Sequence, residues 1–256
     1  MKLNRTKVSL FFIMIVLLVG CKETTSDAVT AVDSEMDKIT TEASSNEQIT
    51  SEDISSCKEE ESLLFEGESF ASYTENTMRG GGVVSFTMDL NDRLTILNED
   101  ETNFGEIVLN EDMTYFTLTM PKKVVARKLV PNYDFAAFDF DADNIASDKD
   151  YIFVYVNKKK KKIRKADLKF TFLTWDNYIK NQLVKLKTCN LLKDSKGKNN
   201  QNSTDLIFKV TAINDDEIQI KSTKDCGEEN TPFHNIEGTL KWKSGNVLLI
   251  DFAVCN

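Results

Sequence analysis

Residues 151 to 170 read YIFVYVNKKKKKIRKADLKF. Phe153 and Tyr155 lead into an Asn-Lys turn and Ile163 leads out of it, so the stretch reads as a hairpin of two strands, Tyr151–Asn157 and Lys161–Arg164. Short apolar runs separated by turn-forming residues mark strands rather than helices. Seven of the eight residues from Lys158 to Lys165 are cationic, in a chain whose net charge is −9. In this register the lysines form the exposed tip of the hairpin, where they also discourage mispairing of a sheet edge. Tyr151, Phe153 and Tyr155, with Phe170 and Phe172 further on, read as core-facing sheet positions.

The same grammar runs through the rest of the chain. Val84, Phe86 and Met88 alternate with polar residues, as do Leu94 and Ile96, and Phe116, Leu118 and Met120 alternate with Tyr115, Thr117 and Thr119. Asn91-Asp92, Asn98-Glu99-Asp100 and Asn110-Glu111-Asp112 punctuate these runs with residues that favour tight turns. Further strands are predicted at 123–129, 135–142, 169–174, 206–213, 217–222, 238–243 and 247–252, with turns at Asn214-Asp215-Asp216 and Ser244-Gly245-Asn246. One helix is predicted near 175–183, capped by Thr174 and carrying Trp175, Tyr178, Ile179 and Leu183 on one face. The fold class is therefore all-β, antiparallel, with one short helix.

Two stretches carry a resemblance. LIFKVTAINDDEIQIKS (206–222) followed by IEGTLKWKSG (236–245) resembles the core of a bacterial SH3-like domain: a strand, a tight turn, a second strand, and a Gly-and-Trp strand closing a small barrel. YIFVYVNKKKKKIRKADLKF repeats that logic, and the whole chain resembles bacterial lipoproteins of this layout. The resemblance implies SH3-like barrels, with an N-terminal β region at 62–148 and an SH3-like β region at 149–256. Thr239 stands where the family commonly has an aromatic, and residues 224–236 form an insertion.

Upstream of these regions the chain is not built for a core. Lys2, Arg5 and Lys7 precede the apolar run Val8–Val19, which is shorter than the roughly 20 residues a spanning helix needs. The closing Leu18-Val19-Gly20-Cys21 resembles the bacterial lipobox, which implies that residues 1–20 are a signal peptide and that Cys21 is lipidated, palmitate being one of its acyl chains. Residues 22–61 hold twelve acids against three lysines and almost no large apolar residues, the composition of a disordered acidic tether. Together they imply a lipid-anchored protein of the cell envelope, at the outer membrane and facing the periplasm or the surface. Beyond Cys21 lie Cys57, Cys189, Cys226 and Cys255, an even number in an exported chain, which reads as two disulfides. The favoured pairing is Cys57 with Cys189 and Cys226 with Cys255; the alternative is Cys189 with Cys255 and Cys57 with Cys226.

Charge is unevenly spread: residues 62–148 sum to −10, 149–198 to +11 and 199–256 to −4. A basic segment between acidic ones is a candidate surface for an anionic partner. Its candidate binding residues are Lys158, Lys159, Lys160, Lys161, Lys162, Arg164 and Lys165, and export removes nucleic acid as that partner. A calcium loop is the alternative cofactor site: in DFDADNIASDKD (139–150), Asp139, Asp141, Asp143, Ser147 and Asp150 fall at positions 1, 3, 5, 9 and 12 of an EF-hand-like loop. Against it, Asn144 stands where glycine makes the turn, and Phe138, Phe140 and Ala142 alternate with the aspartates as on a strand, where i, i+2 carboxylates lie about 7 Å apart. Asp225-Cys226-Gly227 superficially matches a cysteine peptidase nucleophile, but the only histidine, His234, sits in the same polar insertion and an oxidised thiol cannot attack. No phosphate-cradling glycine loop is present.

The sequence thus leads to the expectation of a non-catalytic binding or scaffold module, with no cofactor, that meets an anionic glycan or a protein partner. An inhibitor or immunity-type lipoprotein that blocks a toxin or lytic enzyme is the alternative, and a cell-wall hydrolase the least favoured.

Overall fold

A computed structural model of the chain describes residues 57, 61–110, 115–193, 199–200, 203–226 and 233–254. Residues 1–20, expected to be a signal peptide, Cys21 and nearly all of the expected tether lie outside the described residues. The described part belongs to one compact unit, 47–256. Its strands in chain order are β1 (Ser62–Glu66), β2 (Ala71–Thr74), β3 (Gly82–Thr87), β4 (Arg93–Leu97), β5 (Asn103–Leu109), β6 (Phe116–Thr119), β7 (Lys123–Val125), β8 (Lys128–Val130), β9 (Ala137–Ala142), β10 (Tyr151–Val156), β11 (Lys159–Arg164) and β12 (Lys169–Thr174). The one α-helix among the described residues, α1 (Trp175–Lys180), follows, then β13 (Leu183–Leu186), β14 (Ile207–Asn214), β15 (Glu217–Thr223), β16 (Glu237–Lys241), β17 (Lys243–Ser244), β18 (Val247–Leu248) and β19 (Ile250–Phe252).

The large sheet grows from the central hairpin. It runs β12-β3-β9-β10-β11-β4-β5-β6, with β8 pairing the first half of β9 and β10 its second half. Alternation decides its faces. Ile152, Val154 and Val156 of β10, Phe138 and Phe140 of β9, Val84 and Phe86 of β3 and Ile163 of β11 point into one core, capped by Phe70 and Val124 around the three-stranded sheet β1-β2-β7. Each such side chain fully buried stabilises the fold by roughly 1.5–3 kcal/mol. The five-stranded sheet β16-β15-β14-β13-β19 has its own core of Phe208, Ile218, Ile220, Trp242 and Ile250, to which Met78 and Ile179 also belong.

The all-β class holds, and the barrel does not. Among the described residues no sheet closes on itself: β16 and β19 remain the two edges of the C-terminal sheet. Gly238 lies in the edge strand β16, and Trp242 just beyond its end is fully buried with its indole N–H donating to the Asp215 carbonyl, so that ring fills the core and β16 pairs only with β15. Residues 151–174, which the SH3-like resemblance groups with the C-terminal region, pair with β9, β4 and β3, so the boundary between the sheets falls at α1. Leu183 opens β13 rather than continuing the helix, and β5, β1 and β2 are strands beyond those predicted from alternation. The predicted strand 123–129 is broken in two at Ala126-Arg127.

The break has a physical purpose in the packing. Arg127 leaves the strand line and is fully enclosed, its guanidinium donating to both Asp141 oxygens at 2.8 and 2.9 Å and to the carbonyls of Glu75 and Thr77 at 2.8 and 2.9 Å. It lies 5.0 Å from the Trp175 ring centroid and 5.9 Å from that of Phe252. Burial alone would pull the guanidinium pKa down, but Asp141 beside it outweighs this and raises it. Asp139, next along the same face of β9, accepts from the Tyr178 hydroxyl at 2.8 Å, and burial first, then that carboxylate, pushes the phenol pKa well up. One polar cluster therefore joins the large sheet to α1 and β19. Backbone hydrogen bonds from Met78 to Asn246 and from Leu248 to Asn76 add a second seam.

Candidate functional site

The basic run is a strand, not a tip. Only Asn157 and Lys158 make the turn, both in the left-handed region with φ of 50° and 62°, the pattern of a type I′ hairpin. Asn157 is fixed there by two bonds with Val125: its side chain accepts from the Val125 N–H at 2.6 Å, and its own N–H donates to the Val125 carbonyl at 2.9 Å. Lys159 to Arg164 then pair residue for residue with Val156 to Tyr151.

This register brings together two rows that the sequence reading kept apart. Tyr151, Phe153 and Tyr155 lie on the outward face of β10, half-buried, directly opposite Arg164, Lys162 and Lys160. The lysine ammoniums lie over the rings, Lys160 at 5.4 Å from Phe153 and 5.8 Å from Tyr155, Lys162 at 4.7 Å from Tyr151. The three rings are thus not core residues, as expected above, whereas Phe170 and Phe172 do pack on the core. Six consecutive large residues offer apolar side chains to both faces, so their composition leaves open which set points inward.

Most of the expected binding residues are engaged inside the molecule. Lys158 faces Glu61 at 3.1 Å, Lys160 pairs with Asp143 at 2.7 Å, and Lys162 pairs with Glu101 at 2.9 Å. Lys161 is buried, donates to the Asn98 side chain at 2.6 Å and lies over Phe104. Burial lowers its pKa, while the Asp143 hydrogen bond raises that of Lys160. Lys165 donates to the carbonyls of Ile145 and Asp148. Lys159 and Arg164 remain exposed, without an acidic partner in hydrogen-bond contact among the described residues.

Arg164 stands at the end of the hairpin away from the turn, and there a shallow cleft of about 380 Å³ opens between Lys149, Asp150, Tyr151, Arg164, Lys165 and Ala166. Its guanidinium carbon is 5.9 Å from the Tyr151 ring centroid. The floor loop is rigidly tied: the Asp148 carboxylate accepts from the Asp150 and Tyr151 N–H groups, both at 2.8 Å, and those two bonds hold its pKa below the ordinary value. Exposed Lys149 completes a three-cation rim against one acid, Asp150. Such a rim can take a compact anion by charge-assisted hydrogen bonds. Sequence reasoning missed Lys149, which lies outside the run and is brought beside it by the Tyr151–Arg164 pairing and the Lys165-to-Asp150 backbone bond.

The aspartates of the calcium alternative do not converge. Asp141 holds Arg127, Asp139 holds Tyr178, and Asp143 accepts from Tyr155 and Lys160. Ser147 lies in a 3-10 turn and Asp150 is on the surface. Among the described residues no three His, Cys, Asp or Glu side chains are grouped to hold a metal ion. Cys57 and Cys189 form a disulfide with Cα atoms 5.4 Å apart, as in the favoured pairing. Cys226 is also disulfide-bonded, so its thiol is unavailable as a nucleophile, and His234 is exposed; Cys255 lies outside the described residues. Among the described residues no helix is long and apolar enough to cross a membrane. Comparison of the chain with known protein families, with curated proteins and with solved structures finds no match.

Proposed function

We propose that this protein is a lipid-anchored, non-catalytic binding module of a bacterial envelope, and that the cleft beside Tyr151 takes anionic groups of an envelope glycan. The observation that carries the reading is the division of labour within the basic segment. Its central lysines are matched by acids, carbonyls and rings within the fold, while Arg164 and Lys149, which form no ion pair in contact among the described residues, present their charge at one concave spot. The anchor at Cys21 and the acidic tether supply placement, and the lipobox resemblance supports them.

The test is retention of the purified chain on phosphorylated envelope glycan at low and moderate salt. Losing one charge-assisted hydrogen bond costs about 1.5–3 kcal/mol, so R164Q/K149Q is expected to lower retention tenfold or more at unchanged melting temperature. Unchanged retention overturns the reading, and a stoichiometric protein co-purifying from native envelopes in place of glycan replaces it with the inhibitor alternative.

A further inference from the structure

A second concavity lies on the C-terminal sheet, away from the basic hairpin's cleft and built from different residues. It encloses about 330 Å³, within the range typical of small-molecule sites, between β16 and the segment after β13. Its floor is apolar: Leu191, Leu192, Leu240 and Leu249 are all buried. Two braces hold it open. The Cys57–Cys189 disulfide forms one wall, and the Asn190 side-chain amide donates to the carbonyls of Lys241 and Leu249 at 2.7 and 2.9 Å, tying one wall to the other. Gly238 makes the close approach possible, because a Cβ there would come within 2.9 Å of a Leu192 methyl. A cavity braced in this way needs little ordering when a ligand enters.

The rim has a definite sign. The described lining residues include two lysines and no acid. Lys241 is already near Asp216 at 3.3 Å, whereas Lys193 is exposed and has no ion pair among the described residues. Thr188 and Thr239 add exposed hydroxyls beside it. We propose that this cavity binds an amphiphilic carboxylate of the fatty-acid class, its chain on the leucine floor and its carboxylate on Lys193.

The test is calorimetric titration of the full disulfide-bonded chain with decanoate, decanol and decyltrimethylammonium. The expected result is saturable one-to-one binding of decanoate, at least fivefold weaker binding of decanol, and none of the cation. Thr239 is exposed, so T239W fills the cavity without entering the core and is expected to abolish decanoate binding. K193Q is expected to weaken decanoate about fivefold and leave decanol unchanged, which keeps the test open should T239W fold poorly. R164Q, outside this cavity, is expected to leave the binding of decanoate and decanol unchanged. Absence of saturable decanoate binding, its survival in a folded T239W, an unchanged decanoate-to-decanol ratio in K193Q, or loss of binding in R164Q would each overturn the assignment.

Discussion

Replacing Arg127 by methionine tests whether one buried ion pair makes the two sheets a single cooperative unit. The side chain is 1 % exposed and that of Asp141 5 %, so neither charge has water to fall back on. R127M removes four hydrogen bonds, leaving Asp141 with only the Arg79 N–H at 2.9 Å and two carbonyls without their guanidinium donor. Stripping one partner from a buried pair costs about 3–5 kcal/mol, and the two lost hydrogen bonds to carbonyls add about 1 kcal/mol. A loss near 5 kcal/mol is comparable to the whole stability of a marginal domain, about 5–15 kcal/mol. With a urea m-value of about 2 kcal/mol/M, the unfolding midpoint falls by about 2 M or more. The double variant R127M/D141L removes both charges and is expected to recover most of the loss, because an apolar replacement of a buried pair is often neutral. Urea unfolding followed by tryptophan fluorescence reads the joint and the C-terminal core, since Trp175 packs on Arg127 and Trp242 lies in that core, and far-ultraviolet circular dichroism reads both sheets. A midpoint shift below about 0.5 M for R127M, or a double variant as unstable as the single, would refute the reasoning.

Three further outcomes follow from the same geometry. Hydrogen bonds from Lys123 and Lys158 hold the Glu61 pKa below its ordinary 4.5, and Lys162 does the same for Glu101. Stability from a depressed carboxylate is present above the unfolded value and is lost as pH falls through the folded one, so urea midpoints should drop below about pH 4.5, and less steeply in E61Q. The Cys57–Cys189 bridge spans a sequence separation of 132, a long loop for which the chain-entropy account gives about 5 kcal/mol, so C57S/C189S is expected to lose about 2–5 kcal/mol by urea titration. N157A removes the side chain that accepts from Val125 and puts alanine, less tolerant than asparagine of φ near 50°, at the turn; a cost of about 1–2 kcal/mol is expected, with hydrogen exchange rising first along β10 and β11.

How much of this the sequence disclosed depends on what each residue's neighbours contribute. The turns were legible because Asn91, Asp215 and Gly245 each adopt the positive φ for which such residues are suited. So were the strands whose alternation is clean, such as β3 and β15. The break that divides the predicted strand 123–129 into β7 and β8 was not, because Ala126-Arg127 continues the apolar-basic pattern and only the buried partner Asp141, fourteen residues on, shows why the chain bends there. β5 hides behind Gly105, where a Cβ would collide with Met120, so a core position looks like a gap in the pattern. The barrel expectation failed because a local strand-turn-strand pattern does not encode whether two distant edges meet. The cationic run misled for a similar reason: Asp143, Glu101, Asn98 and the rings of β10 that absorb its lysines are set beside it by sheet register. The candidate cleft depends on that subtraction and on Lys149, which composition alone does not single out.

The most direct test of the account compares two double variants, K160S/K162S and R164Q/K149Q, in melting temperature and in retention on phosphorylated glycan. The account predicts that the first lowers the melting temperature by several degrees, because it breaks two ion pairs on half-buried rings, and that the second leaves melting unchanged while cutting retention at least tenfold. Full retention by R164Q/K149Q together with lost retention by a normally melting K160S/K162S would contradict it.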